Sequence, residues 1–292
     1  MTKTAWVFPG QGSQAQGMGV DLESTTIAQE KLATAKEILG WDVLEKCQGD
    51  EETLSQTQYT QPCLYTIECI LIDLLNAEGK KPDLVAGHSL GEYVALYAAG
   101  VYDFATGLKL VKRRGELMSK AEGGKMVALM KFKRDILEEA VAKADNVVIA
   151  NDNSDGQVVI SGEPTAVDGV VEEVQAKRVV PLKVSGAFHS PLMADAAAEF
   201  AQVLKDANFN EATIPVLANV DPTPTTNPEE IKSRLQQQMT GGVRWREIML
   251  EFPNQSISDV LEVGPGKVLS GLLKRAVKGL KLSQAGTLDK IS

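Results

Sequence analysis

Histidine is almost absent from this chain: His88 and His189 are the only two among 292 residues. Any imidazole chemistry must therefore fall on one of them. Cysteine is nearly as scarce. Cys47, Cys63 and Cys69 have neither Cys-x-x-Cys spacing nor a histidine close by, so they read as reduced thiols, with no metal or cofactor site implied. No apolar run approaches the ~20 residues of a membrane span. The opening stretch from Met1 to Phe8 is cut short by Pro9-Gly10, too soon for a secretory leader. Basic residues are outnumbered, 30 Lys and Arg against 39 Asp and Glu, giving a net charge of −9. Such a surface is a poor match for nucleic acid. These shortages predict a cytoplasmic, metal-free chain, and a length of 292 residues predicts one large domain, or one large domain and a smaller insert.

What the chain does have is one dense heptapeptide, Gly87-His88-Ser89-Leu90-Gly91-Glu92-Tyr93. Residues 82–86 before it read as a buried strand, and residues 92–99 after it as a helix ended by Gly100. Gly-x-Ser-x-Gly between a strand and a helix is a nucleophile elbow. Its glycines permit a tight, strained reversal. The serine then stands at a helix N-terminus, where developing negative charge is favoured. Ser89 is the candidate nucleophile.

Residues 4–8 read as a first strand, followed by Pro9-Gly10-Gln11-Gly12-Ser13-Gln14. The glycines miss dinucleotide spacing, so this is either an ordinary turn or a ligand loop at the carboxyl end of a strand, with the Gln11 N–H available. Residues 24–46 read as helical, and Gln61-Pro62 opens another helix with Leu64, Ile67, Leu71, Leu74 and Leu75 on one face. Asp103-Phe104 begins a third. Phe104, Leu108, Val111, Gly115 and Met118 set its buried stripe, and Arg114 borders it. An arginine turned toward a core requires an anion. Two partners remain open, a structural carboxylate or the carboxylate of a substrate.

Residues 125–187 change character. Strands at 125–130, 147–150, 157–161 and 179–185 alternate with helices at 134–144 and 164–177. This βαββαβ order predicts a ferredoxin-like insert in the larger α/β unit, with a cleft between them. The chain returns at Gly186-Ala187-Phe188-His189-Ser190. A serine needs a base, and His88 is too close in the turn to reach its neighbour, so His189 is left by elimination. No carboxylate partner stands out for it, and a backbone carbonyl is an alternative. Residues 214–220 and 261–263 read as strands and 229–238 as a helix. Gly264-Pro265-Gly266-Lys267 fails the phosphate-loop spacing and reads as a strand–turn–helix corner.

Taken in order, the Gly10–Gln14 loop, the heptapeptide, Arg114, Phe188-His189-Ser190 and Glu262-Val263-Gly264-Pro265-Gly266 resemble the malonyl-CoA:acyl carrier protein transacylases. The resemblance covers nearly the whole chain and looks most like the stand-alone acyltransferases that serve polyketide synthases in trans. It implies an α/β-hydrolase-like large subdomain of residues 1–124 and 188–292 and a ferredoxin-like small subdomain of residues 125–187. It also implies Ser89 as the acylated residue, His189 as base and Arg114 as the malonyl clamp. Further, it implies an oxyanion hole from the Gln11 and Leu90 N–H groups and Gln238 as the residue whose carbonyl orients His189. Gly241-Gly242 replaces the family's usual Asn-Pro, and residues 151–155 depart from its Asn-x-Asn-Ser-Pro, so no site residue is placed there. Phe188, just before the base, is expected beside the acyl chain and to favour malonyl over methylmalonyl. The implied partners are malonyl-CoA and a separate acyl carrier protein. Lys112, Arg113, Lys274, Arg275 and Lys278 are candidates to dock the carrier. The rival readings are an acyl hydrolase acting on carrier-bound chains and a non-catalytic docking subunit.

Overall fold

A computed structural model describes residues 2–291. Its larger sheet is parallel throughout, in the order β7-β2-β1-β8-β9. The strands are β1 (Lys3–Phe8), β2 (Leu84–Gly87), β7 (Val216–Leu217), β8 (Ile257–Val263) and β9 (Lys281–Ala285). A parallel sheet is covered on both faces, which explains the unbroken apolar runs of β1 and β2. Alternation sorts their side chains: Trp6, Phe8 and Val85 enter one core, while Ala5, Val7, Leu84 and Ala86 enter the other. All five strands end at the same edge, and the loops after β1, β2, β7 and β8 converge there.

The smaller sheet is antiparallel, in the order β4-β5-β3-β6. It is formed by β3 (Lys125–Met130), β4 (Val147–Ser154), β5 (Gln157–Gly162) and β6 (Arg178–Pro181). Helices Arg134–Lys143 and Pro164–Val174 complete the βαββαβ order and cover one face, with Leu137, Val158, Ile160, Val167 and Val170 between the layers. A backbone bridge fastens this sheet to the rest. The Asp152 N–H donates to the Val243 carbonyl at 2.9 Å, and the Val243 N–H to the Ala150 carbonyl at 2.8 Å. Arg134 and Arg246 both pair with Asp152 beside it, at 2.8 and 2.9 Å.

Several elements depart from the sequence reading. The helix expected over 24–46 is two, Thr26–Leu39 and Val43–Gln48. Gly40 takes a left-handed φ of 83° as the first one's cap, and the Asp42 side chain caps the second. The helix expected to open at Gln61 starts at Thr57 and runs to Ala77, with Pro62 inside it. Proline there forfeits only the bond to the Gln58 carbonyl, one turn from the end, and burial of the whole 60–72 stretch offsets that loss. The strand read over 214–220 is two residues long. It is an edge strand that leaves the sheet at Ala218-Asn219 to enter the site. Strand β4 extends to Ser154, past the predicted 150, with register shifts on the way. Strand β6 stops at Pro181, well short of 185. Edge strand β9 and the helices Ala194–Asp206 and Trp245–Asn254 have no counterpart in the sequence reading.

The helix Phe104–Ser119 forms as read. The Asp103 carboxylate accepts the Thr106 N–H at 2.7 Å, and Phe104, Leu108, Val111, Gly115 and Met118 are all buried. Its sixteen residues cross Thr57–Ala77 at Gly115, where an added Cβ would crowd the Thr57 carbonyl. That close crossing brings Arg114 under the elbow. Among the described residues no helix is long and apolar enough to cross a membrane.

Candidate active site

The elbow joins β2 to the helix Gly91–Ala98. A Cβ on Gly87 would overlap the Gly91 backbone, so the reversal closes only around glycine. Ser89 sits inside it at φ 52°, a left-handed conformation that a serine rarely adopts. Asn219, just after β7, holds the strained turn from outside. Its Oδ1 accepts the Ser89 N–H at 2.8 Å and its Nδ2 donates to the Gly87 carbonyl at 2.6 Å.

His189 meets Ser89 across a hundred residues of sequence: the Ser89 Oγ and His189 Nε2 are 2.7 Å apart. On the far side of the ring, Nδ1 lies 2.9 Å from the Gln238 carbonyl and 3.2 Å from that of Gly241. Two carbonyl acceptors require the proton on Nδ1, which leaves the Nε2 lone pair for the Ser89 hydroxyl. The Gln238 carbonyl is free to accept because that residue ends the helix Pro228–Gln237. His189 is 3 % exposed. Burial, reinforced by the Arg114 charge, pulls the imidazole down to about 3, against the raising effect of its two carbonyl partners. The ring is thus neutral at physiological pH, the state a base requires. His88 points elsewhere: its Nε2 is 2.8 Å from Asn153 Oδ1 and its ring meets Trp245 edge-on at 5.5 Å.

Arg114 is fully buried. Nη2 donates to Ser89 Oγ at 3.2 Å and to Gln238 Oε1 at 3.1 Å, and Nη1 donates to Gln61 Oε1 at 2.8 Å. The guanidinium lies 5.3 Å from the Tyr93 ring centroid. No carboxylate pairs with it directly among the described residues. Of the two partners the sequence left open, a direct structural ion pair is therefore missing. A cation whose described hydrogen bonds all go to neutral oxygens thus stands 3.2 Å from the Ser89 hydroxyl oxygen.

Gln11 and Leu90 come together through strand register. Phe8 in β1 pairs with Gly87 in β2, and each residue lies three positions beyond its strand end. The His88 N–H donates to the Phe8 carbonyl at 2.9 Å and locks the two loops side by side. Neither the Gln11 nor the Leu90 N–H has an acceptor among the described residues. The Gln11 side chain is tied back to Thr57 Oγ1 at 3.1 Å.

A cavity of about 210 Å³ opens between the two sheets, and Ser89, Phe188, His189, Gln11 and Asn153 line it. Phe188, 5 % exposed, is among the lining residues. Across its mouth stand Leu182 after β6 and Val268 at the start of the helix Val268–Ala276. Two of the proposed carrier contacts are engaged within the fold. Lys112 Nζ donates to the Ile38 carbonyl at 2.8 Å, and Arg113 pairs with Glu116 and Glu199. Lys274, Arg275 and Lys278 are exposed.

Four polar residues at the site have no role in the sequence reading. Gln61 and Asn153 line the cavity, while Asn219 and Glu92 lie buried behind the elbow. Glu92 stands two positions past the nucleophile's neighbour in the heptapeptide, and a carboxylate at the start of an apolar helix was the available signal. The stretch 151–155, set aside because it departs from the family pattern, supplies the Asn153 contact to His88.

The chain matches the family described as acyl transferase domain over residues 5–290. It is 61 % identical over 290 residues to a malonyl CoA-acyl carrier protein transacylase of Synechocystis, with 99 % of each chain covered. The crystal structure of a Synechocystis malonyl-CoA:ACP transacylase superposes with a TM-score of 0.98 over 99 % of both chains. A malonyl-transacylase solved in complex with its type II PKS acyl-carrier protein is 38 % identical, with a TM-score of 0.94 over 99 % of this chain and 98 % of that one. Sequence likeness across the full length, the two-sheet fold and a serine elbow facing a lone histidine agree, and the chain belongs to the acyl transferase family.

Proposed function

We propose that this protein moves malonyl groups from malonyl-CoA to the phosphopantetheine thiol of a separate acyl carrier protein, through an ester on Ser89. The observation that carries the reading is the convergence on one oxygen: Ser89 Oγ lies 2.7 Å from His189 Nε2 and 3.2 Å from Arg114 Nη2. A base beside a nucleophile suits acyl transfer. A buried cation beside the same nucleophile suits an acyl group that ends in a second carboxylate. The names of the full-length relatives support the same substrate pair.

In this reading His189 Nε2 removes the Ser89 proton as Oγ attacks the thioester carbonyl. The Gln11 and Leu90 N–H groups hold the oxyanion. Collapse breaks the C–S bond, the proton passes from His189 to sulfur, and coenzyme A leaves. The carrier thiol then enters and the steps run in reverse, a ping-pong order. Gln238 orients the imidazole through its carbonyl, and Phe188 walls the acyl chain. The catalytic residues lie in the larger unit, residues 1–124 and 188–292, and residues 125–187 form the smaller subdomain over the cleft. The setting is cytoplasmic, and the product serves fatty-acid or polyketide synthesis.

The hydrolase alternative is disfavoured by Arg114, since a buried cation beside Ser89 penalises plain acyl chains. The docking-subunit alternative leaves the Ser89–His189 pairing without a use. The test is to isolate the malonyl-protein and offer it water, coenzyme A or a holo-carrier protein. Transfer to both thiols with slow loss to water is expected. Rapid loss to water alone would make it a hydrolase, and failure to form the ester would leave only docking.

A further inference from the structure

Arg114 has a second-layer partner that the transfer chemistry above does not use. Its described donor bonds end on three neutral oxygens, those of Gln61, Gln238 and Ser89, although the residue is fully buried. A buried guanidinium without a counter-charge is costly. The carboxylate next in line is Glu92, 1 % exposed on the helix that leaves the elbow. Gln238 bridges the two: its Oε1 accepts from Arg114, and its Nε2 donates to Glu92 Oε2 at 2.8 Å. The Asn219 N–H reaches the same Glu92 oxygen at 3.0 Å. A flipped Gln238 amide would set oxygen against the Glu92 oxygen and the Ser89 carbonyl, so the bridge has one orientation.

We propose that Glu92 is the counter-charge of Arg114 before acylation and yields that role to the incoming carboxylate, taking up a proton as the malonyl ester forms. This rests on the reading of Arg114 as the malonyl clamp. Glu92 acts through Gln238 and Arg114 and touches no reacting atom, so it is a positioning residue. The groups that face it are Arg114, Arg234 of the helix Pro228–Gln237, and the phenols of Tyr93 and Tyr102. Burial lifts its carboxyl to about 7, against hydrogen bonds from Gln238 and Asn219 and the charges of Arg114 and Arg234. A malonyl carboxylate on Arg114 adds a like charge and spends part of the arginine's field, which raises Glu92 further. Above pH ~7 an ionised Glu92 must then bind a proton, and well below it nothing changes.

The covalent step itself is proton-neutral, because the Ser89 hydroxyl proton leaves on the coenzyme A thiol. Net uptake therefore reports a protein group, and acetyl-CoA, which lacks the second carboxylate, cancels the thiol's own ionisation. The full chain is mixed with malonyl-CoA or acetyl-CoA in weak buffer with an indicator dye, and ester is counted by intact mass. The expected uptake per malonyl ester rises from near zero at about pH 6 to most of one proton at about pH 8, with none per acetyl ester. Glu92→Gln, which keeps an oxygen for Gln238 and Asn219, should form the malonyl ester without uptake. Malonyl ester without uptake in the parent overturns the proposal and leaves the transferase reading standing, as does uptake that persists in Glu92→Gln. No malonyl ester at all overturns both. The parent measurement decides the matter even if the variant does not fold.

Discussion

Ser89 and His189 both hold left-handed backbone, φ 52° and 56°, and their side chains meet at 2.7 Å. Each conformation costs of order 1–3 kcal/mol for a residue other than glycine. Asn219 grips the elbow backbone on two sides, and the Gln238 and Gly241 carbonyls fix the His189 ring. The strain thus serves to aim one hydroxyl at one nitrogen.

His189 should act as a base that stays neutral far into acid. With its imidazole near 3, acetyl transfer from acetyl-CoA should show no loss around the ordinary histidine value of 6.5 as pH falls. His189→Ala should slow acylation by roughly 10²–10⁴. A pH–rate profile with an acid limb near 6.5 would show that burial does not control the ring.

Arg114→Ala should cost malonyl transfer far more than acetyl transfer. Loss of a charge-assisted hydrogen bond is worth roughly 1.5–3 kcal/mol, or about 10- to 150-fold in kcat/KM. Parallel losses for both donors would reduce Arg114 to a support for Ser89, which it also touches.

Much of this site is legible in the sequence because its parts are local. Gly87-His88-Ser89-Leu90-Gly91 announces the elbow by spacing alone, and the scarcity of histidine leads to His189. Helical periodicity turns Arg114 toward the core, and the resemblance gives it the clamp role. The resemblance supplies Leu90 and Gln238: a backbone N–H and a backbone carbonyl leave no mark in side-chain chemistry, and the Gln238 amide meets Arg114 and Glu92 across 124 and 146 residues. Asn219 and Asn153 are illegible for another reason. They act 130 residues from Ser89 and 65 from His88, through single contacts that no periodic pattern encodes. Gly40 marks the split of the 24–46 helix in the sequence itself, whereas Pro62 inside a helix shows tertiary burial overriding a local rule.

Phe188 should set the preference for malonyl over methylmalonyl. Its ring lines the cavity beside the base, where a branched α-carbon would need room. One methyl group in an apolar pocket is worth ~1–3 kcal/mol, so the parent should prefer malonyl-CoA by about 10- to 200-fold in direct competition. Phe188→Ser should narrow that ratio, and an unaltered ratio would clear Phe188 of the role.

Glu68 should make the fold sensitive to alkali. Both its carboxyl oxygens are buried without a partner, and burial first, then the Glu262 carboxylate, hold its value well above the ordinary range. An unfolded chain releases that proton above pH ~4.5, so stability falls as pH rises from there toward the folded value. Glu68→Gln should therefore raise Tm more at about pH 8 than at about pH 5. Equal shifts at both would place the sensitivity elsewhere.

The central claim is a malonyl ester on Ser89, and intact mass spectrometry after brief incubation with malonyl-CoA tests it most directly. The parent protein should gain one malonyl group, and Ser89→Ala should gain none. An adduct of the same mass on Ser89→Ala would contradict the account.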